Sequence, residues 1–459
     1  MKTTYIDWIC QNFDFPQPPF SVNNNQLYFK GINLVELDQE YGSPLRVSYL
    51  PLIQERIKQA RNGFKQAFEK LHYIADYHYG YCTKSSHFSF VIDTILEENC
   101  FIETSSTFDI EIVNKLYDAK KIDVNYLIIC NGYKTESYLT AIAYLANKGF
   151  KNITLIVDDY HELEFIEPLL KNRLKIGIRI ATDEDPKFEF YTSRLGVRID
   201  KIERFYLDNI HGAKKFSLEL LHFFINAGIK DNLHYWNELN KCMECYLRLH
   251  QLQPSLKGLN LGGGFPVKNS LLDNFSYEYM IHEIVKTIQE ICDSKNVSYP
   301  NLYTEFGSYT VAESGFILYQ VLAQKKQNDK ERWNIINSSF ITTLPDTWSI
   351  NKRYIMLAIN NWEEEYERVL LGGITCDGDD YYNSEQHTNA IYLPKYDHTK
   401  PLLIGFFNMG AYQESISGYG GIKHCLIPSP KHIIIDKNHN IKVFAEEQNA
   451  NHMLKILGY

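Results

Sequence analysis

The sequence predicts an α/β protein, built as a TIM-like (β/α)₈ barrel followed by a mostly antiparallel β domain. A chain of 459 residues exceeds the usual size of one hydrophobic core, which favours at least two domains. Short β-branched or aromatic runs first alternate with helix-periodic runs, as in βαβ units. Beyond about residue 310 the pattern changes to short β-like runs separated by turn residues, which indicates a second architecture.

The first part of the chain contains eight strand-like runs, the number that closes a parallel barrel. They are 77–82, 100–104, 126–130, 153–157, 174–180, 220–225, 256–261 and 302–305. Apolar residues at three- and four-residue steps predict outer helices over 88–98, 108–117, 137–147, 236–249 and 277–292. An open doubly wound sheet would also alternate, but the chain lacks a dinucleotide fingerprint, so the barrel is favoured.

The β domain is predicted from runs of a different spacing. They are 316–321, 354–359, 369–374, 390–392, 402–407 and 432–435. We therefore expect an N-terminal arm over 1–50 that contributes to the β domain, a barrel over 51–310, and a C-terminal β domain over 311–459.

Composition excludes several classes of protein. The formal net charge of −9 and the pI of about 5.9 argue against a nucleic acid or anionic membrane partner. The nine cysteines lack paired metal-ligand spacing, the N-terminus leads into no apolar signal segment, and no apolar run approaches the length of a membrane span. We expect free thiols, no metal and a cytoplasmic location.

Lys84 follows the first strand-like run, in Tyr79-Gly80-Tyr81-Cys82-Thr83-Lys84. Barrel enzymes carry their catalytic groups at the carboxyl ends of the strands. An amine at this position can form a Schiff base with an aldehyde cofactor, although a lysine at a strand end is more often a solvated charge.

Two further motifs end later barrel strands. Gly262, Gly263 and Gly264 follow the seventh run, where backbone N–H groups can converge on a phosphate; the alternative is a tight turn. Glu305 ends the eighth run, where a carboxylate could keep a pyridine nitrogen protonated; the alternative is a structural salt bridge.

The β domain carries two candidate motifs. The segment 372–380 combines the thiol of Cys376 with Asp377 and further acidic residues, which suits proton transfer beside a cationic substrate. Because the segment lacks the glutamate that closes an EF-hand loop, a calcium loop is discounted. The hydroxyl of Tyr412, after Gly410-Ala411, could contact a phosphate oxygen.

Taken in order, these motifs resemble those of the fold-type III pyridoxal-phosphate decarboxylases, whose barrel is of the alanine racemase type. The resemblance covers about residues 40 to 440. The segments 344–348 and 374–377 are most similar to those of the biosynthetic arginine decarboxylases within that family, of which this chain would be a compact variant.

The resemblance implies a role for each candidate residue. Lys84 would hold pyridoxal 5'-phosphate through a Schiff base, and Cys376 would return a proton to the substrate Cα. Asp346 and Asp377 would bind the distal cation of the substrate, and each site would be shared across a homodimer. The cofactor contacts implied are Lys84, Glu103, Phe224, Gly262, Gly263, Gly264, Glu305 and Tyr412.

Three positions depart from the family pattern. Ser308 stands in Glu305-Phe306-Gly307-Ser308, where the family has an arginine that helps to hold the phosphate. Phe224 stands where the family has a histidine that stacks on the cofactor ring, and Ala227 stands where it has a serine. A phenyl ring can still stack, but it cannot donate a hydrogen bond.

The resemblance implies decarboxylation of L-arginine to agmatine, a step of polyamine biosynthesis. Ornithine, lysine, carboxynorspermidine and diaminopimelate decarboxylases are the alternatives within the family. An amino-acid racemase is less favoured because it has no use for Cys376 and Asp377. A regulatory homologue without activity is the alternative from another class, but both Lys84 and Cys376 are present.

Overall fold

A computed structural model describes residues 3–184, 189–419 and 423–459. The chain divides into two compact units. The β unit comprises Met1–Ile53, Val267–Asn274 and Val311–Tyr459, and the barrel unit comprises Gln54–Pro266 and Phe275–Thr310. An eight-residue segment within the range predicted for the barrel, 267–274, thus groups with the β unit.

The N-terminal part of the β unit contains two short helices and four strands. They are α1 (Tyr5–Asn12), β1 (Phe20–Asn23), β2 (Gln26–Phe29), β3 (Ile32–Asn33), α2 (Leu34–Tyr41) and β4 (Leu45–Tyr49). Strands β1, β2 and β3 form an antiparallel sheet of their own. Asn33 begins α2, because its Oδ1 accepts hydrogen bonds from the backbone N–H groups of Val35 and Glu36.

Eight parallel strands close the barrel. After α3 (Pro51–Leu71), the strands of the barrel unit are β5 (Tyr77–Cys82), β6 (Phe101–Thr104), β7 (Ile128–Cys130), β8 (Ile153–Val157), β9 (Leu174–Ala181), β10 (Val197–Arg198), β11 (Phe216–His222), β12 (Gly258–Asn260) and β13 (Asn301–Phe306). The closed order is β5-β6-β7-β8-β9-β11-β12-β13, and β13 pairs with β5. The two-residue β10 pairs with β9 outside this ring. The predicted barrel is confirmed.

The helices of the barrel unit alternate with these strands. They are α4 (Ser89–Glu97), α5 (Thr107–Asp118), α6 (Glu136–Lys148), α7 (Tyr160–Ile166), α8 (Ile202–Asn209), α9 (Leu233–Leu252) and α10 (Tyr277–Lys295). Polar caps mark several of their starts: Ser106, Thr135, Asn232 and Ser276 each accept a hydrogen bond from a backbone N–H of the first turn. β8 is buried at all five positions, and accordingly its residues are apolar except Thr154 rather than alternating between apolar and polar.

The predicted run 220–225 differs from the strand that forms. Strand β11 spans Phe216–His222, with a bulge between Leu218 and Leu220, so Phe224 lies in the segment that follows it. The apolar pattern continues beyond the strand because Phe223 is buried and its N–H still bonds the carbonyl of Asn260. His222 is therefore the residue at the carboxyl end of this strand.

The remaining chain builds most of the β unit. After α11 (Ser308–Val311), its strands are β14 (Gly315–Lys326), β15 (Arg332–Ile336), β16 (Ile355–Ala358), β17 (Tyr366–Gly372), β18 (Tyr381–Tyr382), β19 (Ile391–Pro394), β20 (Leu402–Phe407), β21 (Lys431–Ile435) and β22 (Ile441–Ala445). Its helices are α12 (Phe340–Thr343), α13 (Pro345–Ile350), α14 (Gln413–Ile416) and α15 (Ala450–Leu457).

The large sheet of the β unit follows the order β18-β17-β15-β14-β4-β21-β22, with further pairings by β16, β19 and β20. The pairs β15–β17 and β4–β21 are parallel and the others are antiparallel, so the sheet is mostly antiparallel as predicted. Aromatic side chains fill its core, where Phe29 and Phe407 stack with ring centroids 5.7 Å apart. No helix within the described ranges is both long and apolar enough to cross a membrane.

Candidate active site

Polar and charged side chains gather at the carboxyl ends of the barrel strands, where barrel enzymes place their sites. Most of them are buried, although the strands that carry them are otherwise apolar. The residues are Lys84 after β5, Glu103 on β6, Asn131 after β7, Arg179 on β9, His222 on β11, Asn260 on β12 and Glu305 on β13.

Lys84 lies in a single 3₁₀ turn, Thr83–Ser85, directly after β5. Its Nζ lies 2.8 Å from Oε2 of Glu103, whose side chain is 1% exposed against 43% for that of Lys84. Burial raises the pKa of Glu103, although the charge of Lys84 opposes that shift. The Thr83 hydroxyl donates to the backbone carbonyl of Glu103 and so fixes the turn against β6.

Glu305 is a buried carboxylate whose two oxygens are both hydrogen-bonded. Asn260 Nδ2 donates to Oε1 at 2.6 Å, His222 Nε2 lies 3.1 Å from Oε2, and Asn131 Nδ2 donates to Oε2 at 3.3 Å. Burial alone would raise the pKa of Glu305, but His222, Lys84 and Asn260 together hold it below its ordinary value. Glu305 is therefore ionised in a region where an isolated carboxylate would be costly.

The glycine run after β12 turns tightly around the site. Gly262 has φ +66°, and a Cβ there would stand 2.6 Å from the Phe223 carbonyl oxygen. A Cβ on Gly263 would stand 2.2 Å from the carbonyl oxygen of Glu305. Neither position can therefore take a side chain without a backbone shift. Asn260 fixes the turn as well, since its Oδ1 accepts the Gly262 N–H at 2.8 Å.

Phe224 lies beside this glycine run. A Cβ on Gly262 would come within 3.1 Å of its ring, and the guanidinium of Arg179 lies 5.5 Å from its ring centroid. The phenyl ring thus lies between the guanidinium of Arg179 and the backbone of Gly262, where it could offer an aromatic surface to a planar ligand.

Several buried polar atoms around the site lack a hydrogen-bond partner among the described residues. They include Glu103 Oε1, Arg179 Nε and His222 Nδ1. Buried groups of this kind are normally paired in a folded protein. Three of them in one region indicate that a polar ligand completes the site.

In the β unit, Asp346 and Tyr412 lie close in the fold to Gln413. Asp346 is buried in α13, where its Oδ2 accepts from Gln413 Nε2 at 2.8 Å and from Lys352 Nζ at 3.4 Å. Tyr412 has φ +68° and directly precedes α14. The carboxylate of Asp346 thus already holds a cation.

Two acidic residues of the segment 372–380, Asp380 and Asp377, have different environments. Asp380 is buried and accepts from the backbone N–H of Phe340 at 2.7 Å and from the Thr375 hydroxyl at 2.7 Å, so it fixes the loop to the start of α12. Asp377 is 28% exposed and lies 3.0 Å from His424 Nε2. Of the two, Asp377 is the one available to a ligand.

Cys376 is an exposed thiol beside a second one. Its Sγ lies 3.3 Å from Sγ of Cys425, which in turn lies 3.2 Å from His424 Nδ1. The hydrogen bond and charge of Cys425 raise the pKa of Cys376, while the Cys376 N–H and thiol lower the pKa of Cys425.

The structure thus groups the predicted residues into two sets. The barrel unit brings together Lys84, Glu103, Phe224, Gly262, Gly263, Gly264 and Glu305. The β unit carries Cys376 and Asp377 in one loop and Asp346 and Tyr412 at α13 and α14.

Sequence reasoning assigned no role to Asn131, Arg179, His222 and Asn260. Each is a buried polar residue that the strand pattern contained but did not explain. The available signal was a polar residue at the carboxyl end of an apolar strand, as with Asn260 directly before the glycine run.

Comparison with known proteins accords with this geometry. Residues 54–312 match the family described as pyridoxal-dependent decarboxylase, pyridoxal binding domain. A biosynthetic arginine decarboxylase of Bacteroides thetaiotaomicron is 23% identical, with 92% of this chain and 84% of that protein covered.

Solved structures share the architecture. The biosynthetic arginine decarboxylase from Campylobacter jejuni has a TM-score of 0.80 at 19% identity, covering 99% of this chain and 90% of that one. A diaminopimelate decarboxylase from M. jannaschii, solved with L-lysine, has a TM-score of 0.77 at 18% identity, covering 94% and 96%. At these identities the structures show the common fold.

Proposed function

Because the chain belongs to the family of pyridoxal-dependent decarboxylases, we propose that it converts L-arginine to agmatine and CO₂. The observation that carries this proposal is that two groups stand together at the carboxyl end of the barrel. They are the Lys84 amine, paired with Glu103, and the buried carboxylate of Glu305, whose pKa is held below its ordinary value. The arginine decarboxylase similar over 92% of this chain supports the choice of substrate.

The barrel residues fit pyridoxal phosphate, the cofactor of the family. Lys84 supplies the amine that would hold the aldehyde carbon. Glu103 Oε1 and Arg179 Nε, which have no hydrogen-bond partner among the described residues, offer polar contacts to a ligand. When bound, this cofactor supplies an electron sink for the electron pair left by departing CO₂. We propose that Gly262, Gly263, Gly264 and Tyr412 hold the phosphate and that Phe224 stacks on the ring.

Glu305 would keep the pyridine nitrogen protonated. His222 and Asn260 contact its two oxygens, and together with the charge of Lys84 they lower its pKa, which favours the charged carboxylate. A neutral residue at this position could accept no such charge-assisted hydrogen bond. The buried network around Glu305 therefore serves to present one negative charge at a fixed point.

Proton return to the substrate is assigned to Cys376. A thiol can act as a general acid when it is protonated, and the raised pKa of Cys376 favours the protonated form. We propose that this thiol donates its proton to Cα after CO₂ has left, and that it does so in the site of the neighbouring subunit of a homodimer.

The distal cation of the substrate would bind Asp346 and Asp377. A planar guanidinium can engage a carboxylate through two N–H groups, which an ammonium cannot do. At Asp346 the guanidinium would replace the ammonium of Lys352, which lies 3.4 Å from Oδ2. Diaminopimelate carries a distal carboxylate that these aspartates would repel.

We propose that the protein acts in the cytoplasm, as an enzyme of polyamine biosynthesis. The test is to incubate the purified protein and pyridoxal phosphate separately with L-arginine, L-ornithine, L-lysine, carboxynorspermidine and meso-diaminopimelate, and to identify each product by mass. Agmatine as the preferred product would support the proposal. Preference for another substrate would retain the chemistry and reject the assignment of Asp346 and Asp377 to a guanidinium.

A further inference from the structure

Three potential metal ligands meet on the surface of the β unit. They are Cys376, in the loop after β17, and His424 and Cys425, in the short 3₁₀ segment His424–Leu426. One donor atom from each residue lies within 4.8 Å of the others. All three residues are exposed, so a cation can reach them from solvent.

We propose that Cys376, His424 and Cys425 form a binding site for a thiophilic divalent cation of the Zn²⁺ class. Two thiolates and one imidazole are the donors that zinc prefers, and three protein ligands leave a fourth position open to water or another ligand. The site goes beyond the decarboxylase function, because that function uses Cys376 as a proton donor and gives no role to His424 or Cys425.

Asp377 provides an independent observation in favour of a metal. Its Oδ2 lies 3.0 Å from His424 Nε2, while Nδ1 of the same ring lies 3.2 Å from Cys425 Sγ. A carboxylate that accepts the N–H of one ring nitrogen fixes the tautomer and leaves the other nitrogen free to bind a metal. This carboxylate–histidine pairing is characteristic of metal ligands in proteins.

The distances require only a small adjustment. The two sulfur atoms are 3.3 Å apart, whereas two thiolates on one tetrahedral zinc lie about 3.8 Å apart, given Zn–S bonds of about 2.3 Å. Because both side chains are exposed, rotation about their side-chain bonds can provide the difference.

The backbone beside the ligands is well fixed. The buried Asp380 holds the loop of Cys376 through the hydroxyl of Thr375, and the N–H of Cys376 itself lies 3.5 Å from Cys425 Sγ. The two segments thus already lie adjacent, and an arrangement of ligands that is already close lowers the entropic cost of metal binding.

Metal binding has a consequence that rests on the proposed function. Zn²⁺ would displace the proton of each thiol, so the ion would remove the proton that Cys376 is to donate. We therefore expect a thiophilic cation to inhibit decarboxylation, and removal of the cation by a chelator to restore it.

The test is a Co²⁺ titration of the full chain loaded with pyridoxal phosphate, kept reduced by a phosphine that binds metals weakly. Visible ligand-field bands of tetrahedral Co²⁺ should appear and then disappear as Zn²⁺ is added. We expect Cys425→Ser and His424→Ala each to weaken Zn²⁺ binding by about 100-fold or more, and Asp377→Asn to weaken it by about 10-fold. Cys10→Ser changes another exposed cysteine of the same unit and should bind as the unaltered protein does.

Two results would overturn the site. One is the absence of tetrahedral Co²⁺ bands in the reduced protein. The other is unchanged Zn²⁺ affinity in both Cys425→Ser and His424→Ala, with the fold retained by circular dichroism. Since these readouts need no substrate, they are independent of whether L-arginine is decarboxylated.

Discussion

At the scale of single residues, Glu103 and Glu305 are two buried carboxylates whose environments shift their pKa values in opposite directions. Burial dominates for Glu103 and raises its pKa, whereas His222, Lys84 and Asn260 together outweigh burial for Glu305 and lower its pKa. Buried acids with divergent pKa values are typical of catalytic sites. Glu305 is thus suited to carry a fixed negative charge, while Glu103 lies 2.8 Å from the Lys84 amine.

Lys84→Ala should abolish the absorbance band of cofactor bound as a protonated Schiff base. The reason is that Lys84 is the amine that lies at the site beside Glu103. The measurement is a spectrum of the purified variant with added pyridoxal phosphate, compared with Lys58→Ala, which removes an exposed lysine of the same unit. A Lys84→Ala protein that retains the band would refute the assignment.

Cys376→Ala should leave the cofactor bound but reduce turnover by about 100-fold or more, the usual range for a lost general acid. Product fidelity should fall as well, because a proton would reach Cα from an unselected donor. Steady-state kinetics with product analysis measure both effects, and Cys10→Ala is the matched control because Cys10 is also exposed. Unchanged kinetics in Cys376→Ala would remove the thiol from the mechanism.

At the scale of elements, the loop between β17 and β18 depends on one buried side chain. Asp380 accepts hydrogen bonds from two backbone N–H groups at the start of α12, those of Phe340 and Ile341, and from Thr375. A carboxylate in this position satisfies donors at a helix start that would otherwise be unpaired. At least one residue of the acidic segment, Asp380, therefore stabilises the fold.

Asp380→Asn should lower the free energy of unfolding by about 1–3 kcal/mol, because an amide replaces a charged acceptor and brings an unpaired donor into a buried position. Asp379→Asn changes an exposed neighbour and should alter stability by less than about 0.5 kcal/mol. Urea denaturation of both variants provides the comparison. Equal stability of the two would show that the Asp380 contacts contribute little.

Glu385 links the stability of the β unit to pH. Burial raises its pKa from 4.5 to about 8, so the folded state binds this proton more tightly than the unfolded state. The protonated carboxyl therefore favours folding, and the benefit is lost as pH rises from about 4.5 through about 8. Glu385→Gln should be increasingly more stable than the unaltered protein across this range, by about 2–4 kcal/mol at the plateau above it.

The measurement is thermal or urea unfolding of both proteins at several pH values. A constant difference between them from pH 5 to pH 9 would contradict the raised pKa. Glu364→Gln is a control at an exposed carboxylate of the same unit, and it should show no such trend.

At the scale of the whole molecule, strand positions were largely predictable because each barrel strand is a short apolar run bounded by polar turns. Runs 77–82 and 153–157 match β5 and β8 residue for residue. β15 was not predicted, since Arg332 and Asn334 interrupt the apolar pattern of Arg332–Ile336. The strand forms by pairing with β14 and β17.

The site was predictable only in part. Lys84 and Glu305 stand beside recognisable motifs, but His222, Asn131 and Asn260 are single polar residues whose meeting depends on closure of the barrel. The approach of Cys376 to Cys425 joins residues that are 49 positions apart in the chain. Residue spacing along the sequence cannot predict such contacts, because they arise when distant segments pack together.

Decarboxylation of L-arginine can be measured as CO₂ and agmatine released together by the purified protein, before and after addition of pyridoxal phosphate. We expect both products to form in equal amounts and only when the cofactor is present. Absence of CO₂ release from L-arginine, in protein whose spectrum shows bound cofactor, would contradict it and would favour another substrate or a regulatory homologue.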